Sequence, residues 1–153
     1  MDVRNLLKYW LPALIWLGVI FLASTDLMSA EHTSRFLVPF LRWLKPDITP
    51  HAIASIQLVI RKCAHVTEYT ILAVLLWRAI HHQSTKWGSR FAVAAAMTLV
   101  LATICAVIDE FHQSFVPSRT SSARDVILDD CGTFVGLTLC WLSERHRSRS
   151  DHA

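Results

Sequence analysis

Residues 109–130 read DEFHQSFVPSRTSSARDVILDD and contain five carboxylates, one histidine, two arginines and one glutamine. This polar segment joins two runs that are otherwise almost entirely apolar. A charged side chain near the centre of a membrane-spanning helix costs about 2.5 to 3.5 kcal/mol on insertion scales, so polar groups at that depth usually face a protein interior. The segment therefore predicts two membrane-spanning helices whose polar ends meet at a site.

The composition agrees with a membrane protein. Of the 153 residues 53% are hydrophobic, whereas a typical soluble domain has about 45 to 50%. We predict one membrane domain over residues 1–143 and a basic, disordered cytoplasmic tail over residues 144–153. The four cysteines lie in apolar segments without a CxxC pair, so we interpret them as packing residues. The net charge of +3 is small and its cations are scattered, which gives no support to nucleic-acid binding.

The first predicted span is the uncharged run from Tyr9 to Thr25. At 1.5 Å per residue it is roughly 25 Å long, enough to cross a membrane if Lys8 snorkels. A secretory signal peptide would look similar, but no small-x-small cleavage site follows this run. Residues 27–49 then carry apolar residues on one helical face and cations on another. They suit a short amphipathic helix in the membrane interface, and an ordered re-entrant loop is the alternative.

The second predicted span begins with Thr49 as N-cap and Pro50 at the first helical position, and it runs to about Ile80. Polar residues recur along it at three- or four-residue steps and so share one face, which should turn inward. The members of this face are Gln57, Arg61, His65, Glu68 and the apolar Leu72.

The third predicted span is uncharged from Phe91 to Ile108 and leads into the acids of residues 109–130. Asp109 and His112 share one helical face, while Glu110 and Gln113 share the next one. We expect this helix end to meet the second span, with His65 and Glu68 facing Asp109 and His112, and we expect Ser24 and Thr25 to lie near the acids.

The fourth predicted span opens with Ser122 as N-cap, and Asp125 three residues later resembles a capping box. Capping does not explain Asp129, which lies one turn deeper on the same face. Gly132 and Gly136 form a small-xxx-small pattern, which allows another helix to approach closely. The span should end near Leu142.

Charge predicts the orientation. Four spans place both termini on one side, which then holds eight of the 15 Lys and Arg residues but only three of the 12 acids. Because cytoplasmic loops carry an excess of Lys and Arg, we predict a multi-pass protein of the cell (cytoplasmic) membrane with cytoplasmic termini and an outward-facing site.

Three polar motifs, KCAHVTEY at 62–69, DEFHQSFVPSR at 109–119 and DVILDDCG at 125–132, resemble the VanZ-like family of small prokaryotic membrane proteins. Their order and spacing fit that family from about residue 10 to 142. The family is named for a member linked to teicoplanin resistance. The resemblance therefore implies a connection with the cell envelope and with membrane lipids or a lipid-linked envelope precursor as partners. It implies no established reaction.

Together these patterns predict an all-α membrane protein, a four-transmembrane-helix bundle with an amphipathic interfacial segment after the first span. Its candidate catalytic residues are His65, Glu68, Asp109, Glu110, His112 and Asp125. Its candidate ligand-binding residues are Arg61, Lys62, Tyr69, Gln113, Arg119 and Asp129.

Three interpretations of these groups stay open. They could form a buried network that holds the bundle together, with Arg119 clamping two carboxylates. They could be an enzyme site in which cations hold a phosphate and His and carboxylates act as acid and base. They could bind or move a lipid, an ion or a proton without covalent change. A metal held by the pairs His65 with Glu68 and Asp109 with His112 is a further option, and no cofactor is specified.

Overall fold

The computed structural model describes residues 3–25, 30–84, 91–116 and 122–150. The described chain forms five helices: α1 (Val3–Ala23), α2 (Ala30–Leu44), α3 (Pro50–Ser84), α4 (Phe91–Gln113) and α5 (Ala123–Ser150). Four of them, α1, α3, α4 and α5, are long and apolar enough to cross a membrane. The prediction of an all-α, multi-pass membrane protein is confirmed.

Two helix starts follow the predicted capping chemistry. The Ala52 N–H donates to Thr49 Oγ1 at 3.2 Å, so Thr49 caps α3. The Arg124 N–H donates to Ser122 Oγ at 3.2 Å, so Ser122 caps α5. Each hydroxyl satisfies one of the backbone donors that the first turn of a helix leaves without an intrahelical partner.

The central helix of the bundle is α3, which packs against α1, α2, α4 and, most extensively, α5. Its side chains Tyr69, Leu72 and Leu76 are almost completely buried. They form one core with small and aliphatic residues of the flanking helices, namely Ala13, Ile20, Ala102 and Ala106.

The predicted small-xxx-small pattern lies at the α3–α5 contact. Gly132 lies against Val66, and Gly136 lies against Thr70 and Ala73. The helices are so close that Thr70 Oγ1 donates to the Gly132 carbonyl at 2.9 Å. Two glycines one turn apart on α5 therefore allow direct contact with the backbone of α3.

The segment after α1 contains a helix of 15 residues, α2. Pro39 lies within α2 without ending it. Gln57 Nε2 on α3 donates to Ser34 Oγ on α2 at 2.6 Å. The apolar side chains of Phe36 and Trp43 point away from the bundle and are exposed. An amphipathic helix is therefore present, as predicted, and the re-entrant loop is not observed over these residues.

The prediction of a disordered tail was wrong as far as Ser150, because α5 continues as a helix to that residue. The extension is rich in Arg, which is a good helix former. Cations near the C-terminus of a helix also stabilise it by interacting favourably with the helix dipole. The Arg145 guanidinium also lies 3.9 Å from the centre of the Trp141 ring.

The two ends of the bundle differ in chemistry. At one end the Tyr9 ring of α1 stacks on His82 of α3 at 3.8 Å, and His81 Nε2 lies 3.2 Å from Glu144 Oε1 of α5. The start of α1 and the end of α5 therefore lie at the same end, as four spans require. The acids of residues 109–130 lie at the opposite end.

Candidate functional site

The polar residues at the other end of the bundle come from all four spanning helices. Ser24 follows α1, His65 lies on α3, Asp109 on α4 and Asp129 on α5. Most polar groups of this cluster are buried, namely Ser24, His65, Asp109, Glu110, Gln113, Asp125 and Asp129. Buried polar groups are costly without partners, so their pairing decides what the cluster can do.

The most buried pair joins α3 to α5. His65 Nδ1 lies 3.0 Å from Asp129 Oδ1, and Asp129 is 0% exposed. The expected partner of His65 was Asp109 on α4, and the structure places Asp129 there instead. Asp109 and Glu110 of α4 are buried at the same end of the bundle.

Asp125 holds two cations of α3. Arg61 Nη2 donates to its Oδ2 at 3.1 Å, and Lys62 Nζ donates to its Oδ1 at 3.2 Å. The capping-box interpretation of Asp125 was wrong, because the Ser122 N–H donates to Glu110 Oε2 of α4 at 2.7 Å. A side chain from a neighbouring helix thus completes the cap, and Asp125 is turned towards α3.

Gln113 connects α4 to the end of α1. Its Nε2 donates to Asp109 Oδ2 at 2.9 Å and to Ser24 Oγ at 3.2 Å. The expectation that Ser24 lies near the acids is therefore met. The sequence placed Gln113 on one helical face with Glu110, three residues before it. The observed bond is to Asp109, four residues before it, and side chains at either spacing can meet on a helix.

Two predicted site residues have other surroundings. The His112 ring lies against the Phe21 ring of α1, with centroids 4.2 Å apart, rather than against His65. Tyr69 is 1% exposed and belongs to the apolar core, although its hydroxyl lies near enough to Asp129 and Asp109 for an electrostatic interaction. Arg119 lies outside the described residues.

Sequence reasoning missed two polar contacts between helices. Thr103 Oγ1 on α4 donates to Asp130 Oδ1 on α5 at 2.8 Å, and Trp16 Nε1 on α1 donates to the Glu68 carbonyl at 2.9 Å. Asp130 follows Asp129 directly, and an acid in an apolar run could have indicated a polar contact with another helix. Trp16 had none, because an aromatic residue in an apolar run is ordinary.

A cavity of about 330 Å³ lies beside this cluster, between the end of α1, α2, α3 and the end of α4. Four predicted site residues line it: Arg61, His65, Glu68 and Gln113. Ser24, Thr33 and Gln57 add polar groups, and the apolar lining is Ala23, Leu37, Ala54, Leu58, Ile60 and Ala64. The other described candidates, Lys62, Tyr69, Asp109, Glu110, His112, Asp125 and Asp129, are not part of this lining.

Several buried oxygens of the cluster have no hydrogen-bond partner within the part of the chain that the structure describes. They are Tyr69 Oη, Asp109 Oδ1, Glu110 Oε1, Gln113 Oε1 and Asp129 Oδ2. Among the described residues no three His, Cys, Asp or Glu side chains are grouped to hold a metal ion. The two predicted ligand pairs do not assemble, since His65 is turned to Asp129 and His112 to Phe21.

Comparison with known proteins gives one clear relationship. No curated protein and no solved structure matches the chain. The VanZ/LLP1 family model matches residues 9–144, a range that includes most of the first and fourth spans, all of the second and third, and every residue of the cluster and the cavity lining. The match covers far more than half of the chain, and the chain therefore belongs to the VanZ/LLP1 family.

Proposed function

We propose that this protein binds the phosphate-bearing head group of an envelope lipid, either a phospholipid or a lipid-linked precursor, in the cavity beside α3. The observation that carries the proposal is a cavity of about 330 Å³ lined by both charged and apolar side chains. Pockets for small ligands usually have volumes of about 300 to 1,000 Å³, so a head group fits. The mixed lining suits an amphiphile better than a fully polar solute.

Arg61 is the cation that would contact a phosphate in the cavity, which it lines. Its guanidinium carries five N–H donors and can bind a phosphate in bidentate fashion, and Nη2 also bonds to Asp125. Asp125 also holds Lys62 beside Arg61, and the Lys62 side chain is 43% exposed. One buried carboxylate therefore orients two cations, although only Arg61 lines the cavity.

Acid–base chemistry on the bound ligand would fall to His65. Its Nδ1 is engaged by Asp129, which leaves Nε2 as the ring nitrogen for exchange with a ligand in the cavity. A positioned histidine of this kind is the most frequent general acid or base. The binding proposal does not depend on such a step.

The second candidate function is a structural one, in which the polar cluster only fastens the helices. It is favoured by the pairing of Asp125 and Asp129 with α3 and of Glu110 with the start of α5. The two candidates differ in what they predict for residues that line the cavity.

Arg61→Gln should weaken the binding of phosphate-bearing lipids by about tenfold, since hydrogen bonds to charged groups contribute about 1.5 to 3 kcal/mol. Native mass spectrometry of the purified full chain with phosphatidylglycerol and with a polyprenyl phosphate would measure this. Arg145→Gln, a cation at the opposite end, is the matched control and should bind as the parent does. Equal binding by Arg61→Gln and the parent would contradict the proposal.

We further propose that this binding underlies a link to glycopeptide susceptibility. In a strain lacking the native gene, Glu68→Gln should remove any change in teicoplanin susceptibility while protein level and thermal stability in detergent stay unchanged. Arg61→Gln should also remove it but should lower stability, because the buried Asp125 loses one of its two cations. Glu110→Gln should also lower stability, because it weakens the bond to the Ser122 N–H. Loss of the phenotype only in step with stability would favour the structural function.

The cavity should face outward, with both termini in the cytoplasm, because the terminal end holds eight of the 15 Lys and Arg residues but only three of the 12 acids. Reporter fusions at Ser89, Ser121 and the C-terminus would test this topology. A periplasm-only reporter should be active at Ser121 and inactive at the other two positions. Activity at the C-terminus would reverse the orientation.

A further inference from the structure

Two cations from different helices meet at one aromatic ring, at the end of the bundle where α1 starts and α5 ends. Lys8 Nζ of α1 lies 5.4 Å from the centre of the Tyr9 ring, and Arg78 Cζ of α3 lies 5.3 Å from the same centre. Both cationic residues are exposed. An aromatic ring attracts cations to its face, and here one ring holds two of them close together. Positive charge is therefore concentrated on the surface between α1 and α3.

This charge is not balanced by an acid in the part of the chain that the structure describes. Within that part neither Lys8 nor Arg78 forms an ion pair. Glu144, the described acid at this end of the bundle, contacts His81 instead. Two like charges held close together repel each other, and an anion that contacts both relieves the repulsion. The surface therefore favours an anionic ligand over a zwitterionic one, whose own cation the two residues would repel.

The two cations lie at the level of the membrane surface. The uncharged run of the first span begins at Tyr9, so Lys8 is the last charge before the hydrocarbon. Trp10 follows Tyr9, and Trp77 precedes Arg78. Tyr and Trp are enriched at the membrane–water interface, and cations just outside a span can contact the phosphates of lipid head groups. A lipid phosphate is therefore the anion nearest to this surface.

Apolar side chains flank Lys8 on the outer side of α1. Leu7 and Leu11 are about half exposed, and with Lys8 they line a shallow depression to which Arg4 and Asn5 also contribute. An acyl chain would cover the two leucines, whereas a free phosphate ion would leave them without an apolar partner. The depression therefore fits a phosphate that is attached to a lipid.

We infer that this surface is a second lipid site, in which Lys8 and Arg78 contact the phosphate of an anionic phospholipid and Leu7 and Leu11 contact its acyl chain. Arg78 lies 17 residues after Arg61 on α3, about 25 Å along the helix axis, so the site is separate from the cavity and belongs to the opposite leaflet. It does not depend on the proposed function. A lipid bound there connects α1 to α3, the helix against which α1 mainly packs.

Photo-cross-linking tests the position and the chemical class of the lipid. Phosphatidylglycerol with a diazirine on its acyl chain is irradiated with the purified full chain in detergent, and the labelled peptides are identified by mass spectrometry. The label should lie on α1 around Leu7 and Leu11. Unlabelled phosphatidylglycerol should compete for this label about tenfold more effectively than phosphatidylcholine of the same chains, since two cations face the phosphate.

Three results would overturn the site. Absence of label from α1 would contradict its position. Equal competition by phosphatidylcholine would contradict the preference for an anionic lipid. Equal competition by glycerol phosphate, which has no acyl chain, would contradict a lipid as the source of the phosphate.

Variants test the two cations. Lys8→Gln and Arg78→Gln should each raise the lipid concentration for half-maximal labelling about fivefold, and together about thirtyfold. Arg147→Gln combined with Arg149→Gln removes the same net charge at the same end of the bundle and should label as the parent does. Equal losses in the two double variants would show that diffuse charge attracts the lipid, which overturns the site. Arg61→Gln should leave the label on α1 unchanged, so a failure of the proposed function is read separately.

Discussion

Asp129→Ala is expected to lower the free energy of unfolding by about 3 kcal/mol, because removing one partner of a buried hydrogen-bonded pair leaves the other polar group unsatisfied. Asp129 is 0% exposed, and its Oδ1 lies 3.0 Å from His65 Nδ1. Unfolding in mixed micelles of detergent and denaturant would measure the change.

The reason for the loss can be tested with a double-mutant cycle. Interhelical hydrogen bonds in membrane proteins couple by about 0.6 kcal/mol on average and by up to about 1.7 kcal/mol, so a pair as buried as His65 and Asp129 should exceed about 1 kcal/mol. His65→Ala combined with Asp129→Ala should therefore be clearly non-additive. Such a value would show that α3 and α5 are coupled through this pair.

The neighbouring acid provides a matched control for this cycle. Asp130 bonds to Thr103 on α4 rather than to His65. His65→Ala and Asp130→Ala should therefore add within about 0.5 kcal/mol, as sites without shared partners do. Additivity in the Asp129 cycle, or equal coupling in both cycles, would contradict the observed pairing.

Gly136→Leu should destabilise the protein by about 3 kcal/mol, at the upper end of the effects of overpacking. A Cβ atom at Gly136 would lie 2.5 Å from the Thr70 carbonyl oxygen and 2.8 Å from Ala73 Cβ. The nearest obstacle is backbone, so α3 and α5 would have to move apart. That movement would also strain the bond from Thr70 to the Gly132 carbonyl.

Gly18→Leu on α1 is the matched control, because a Cβ atom there meets nothing within 4 Å. It should be neutral or slightly stabilising, since glycine is a poor helix former. Thermal unfolding in detergent would compare the two leucine variants. A similar loss at Gly18 and Gly136 would show that the effect is not due to the α3–α5 contact.

The residues that share a face could be predicted from the sequence because the helical period is local. The steps from Gln57 to Glu68 predicted one inward face, and Arg61, His65 and Glu68 do line one cavity. The caps at Thr49 and Ser122 were also predictable, since a cap involves only the residues next to it. The mean hydropathy of each run was sufficient to identify the four spans.

The partners of these faces were decided by the tertiary structure alone. His65 and Asp129 lie 64 residues apart, and the period of a helix does not say which neighbour it will face. For the same reason the sequence predicted the wrong partner for His65 and the wrong role for Asp125. The contact with the Ser122 N–H that was predicted for Asp125 is made by Glu110 from α4. The sequence by itself determined four spans, their polar ends and their glycine contact surface. The packing of α1, α4 and α5 around α3 decided which polar side chains pair and where a cavity remains between the helices. Both depend on how side chains that are far apart in the sequence fit together in space.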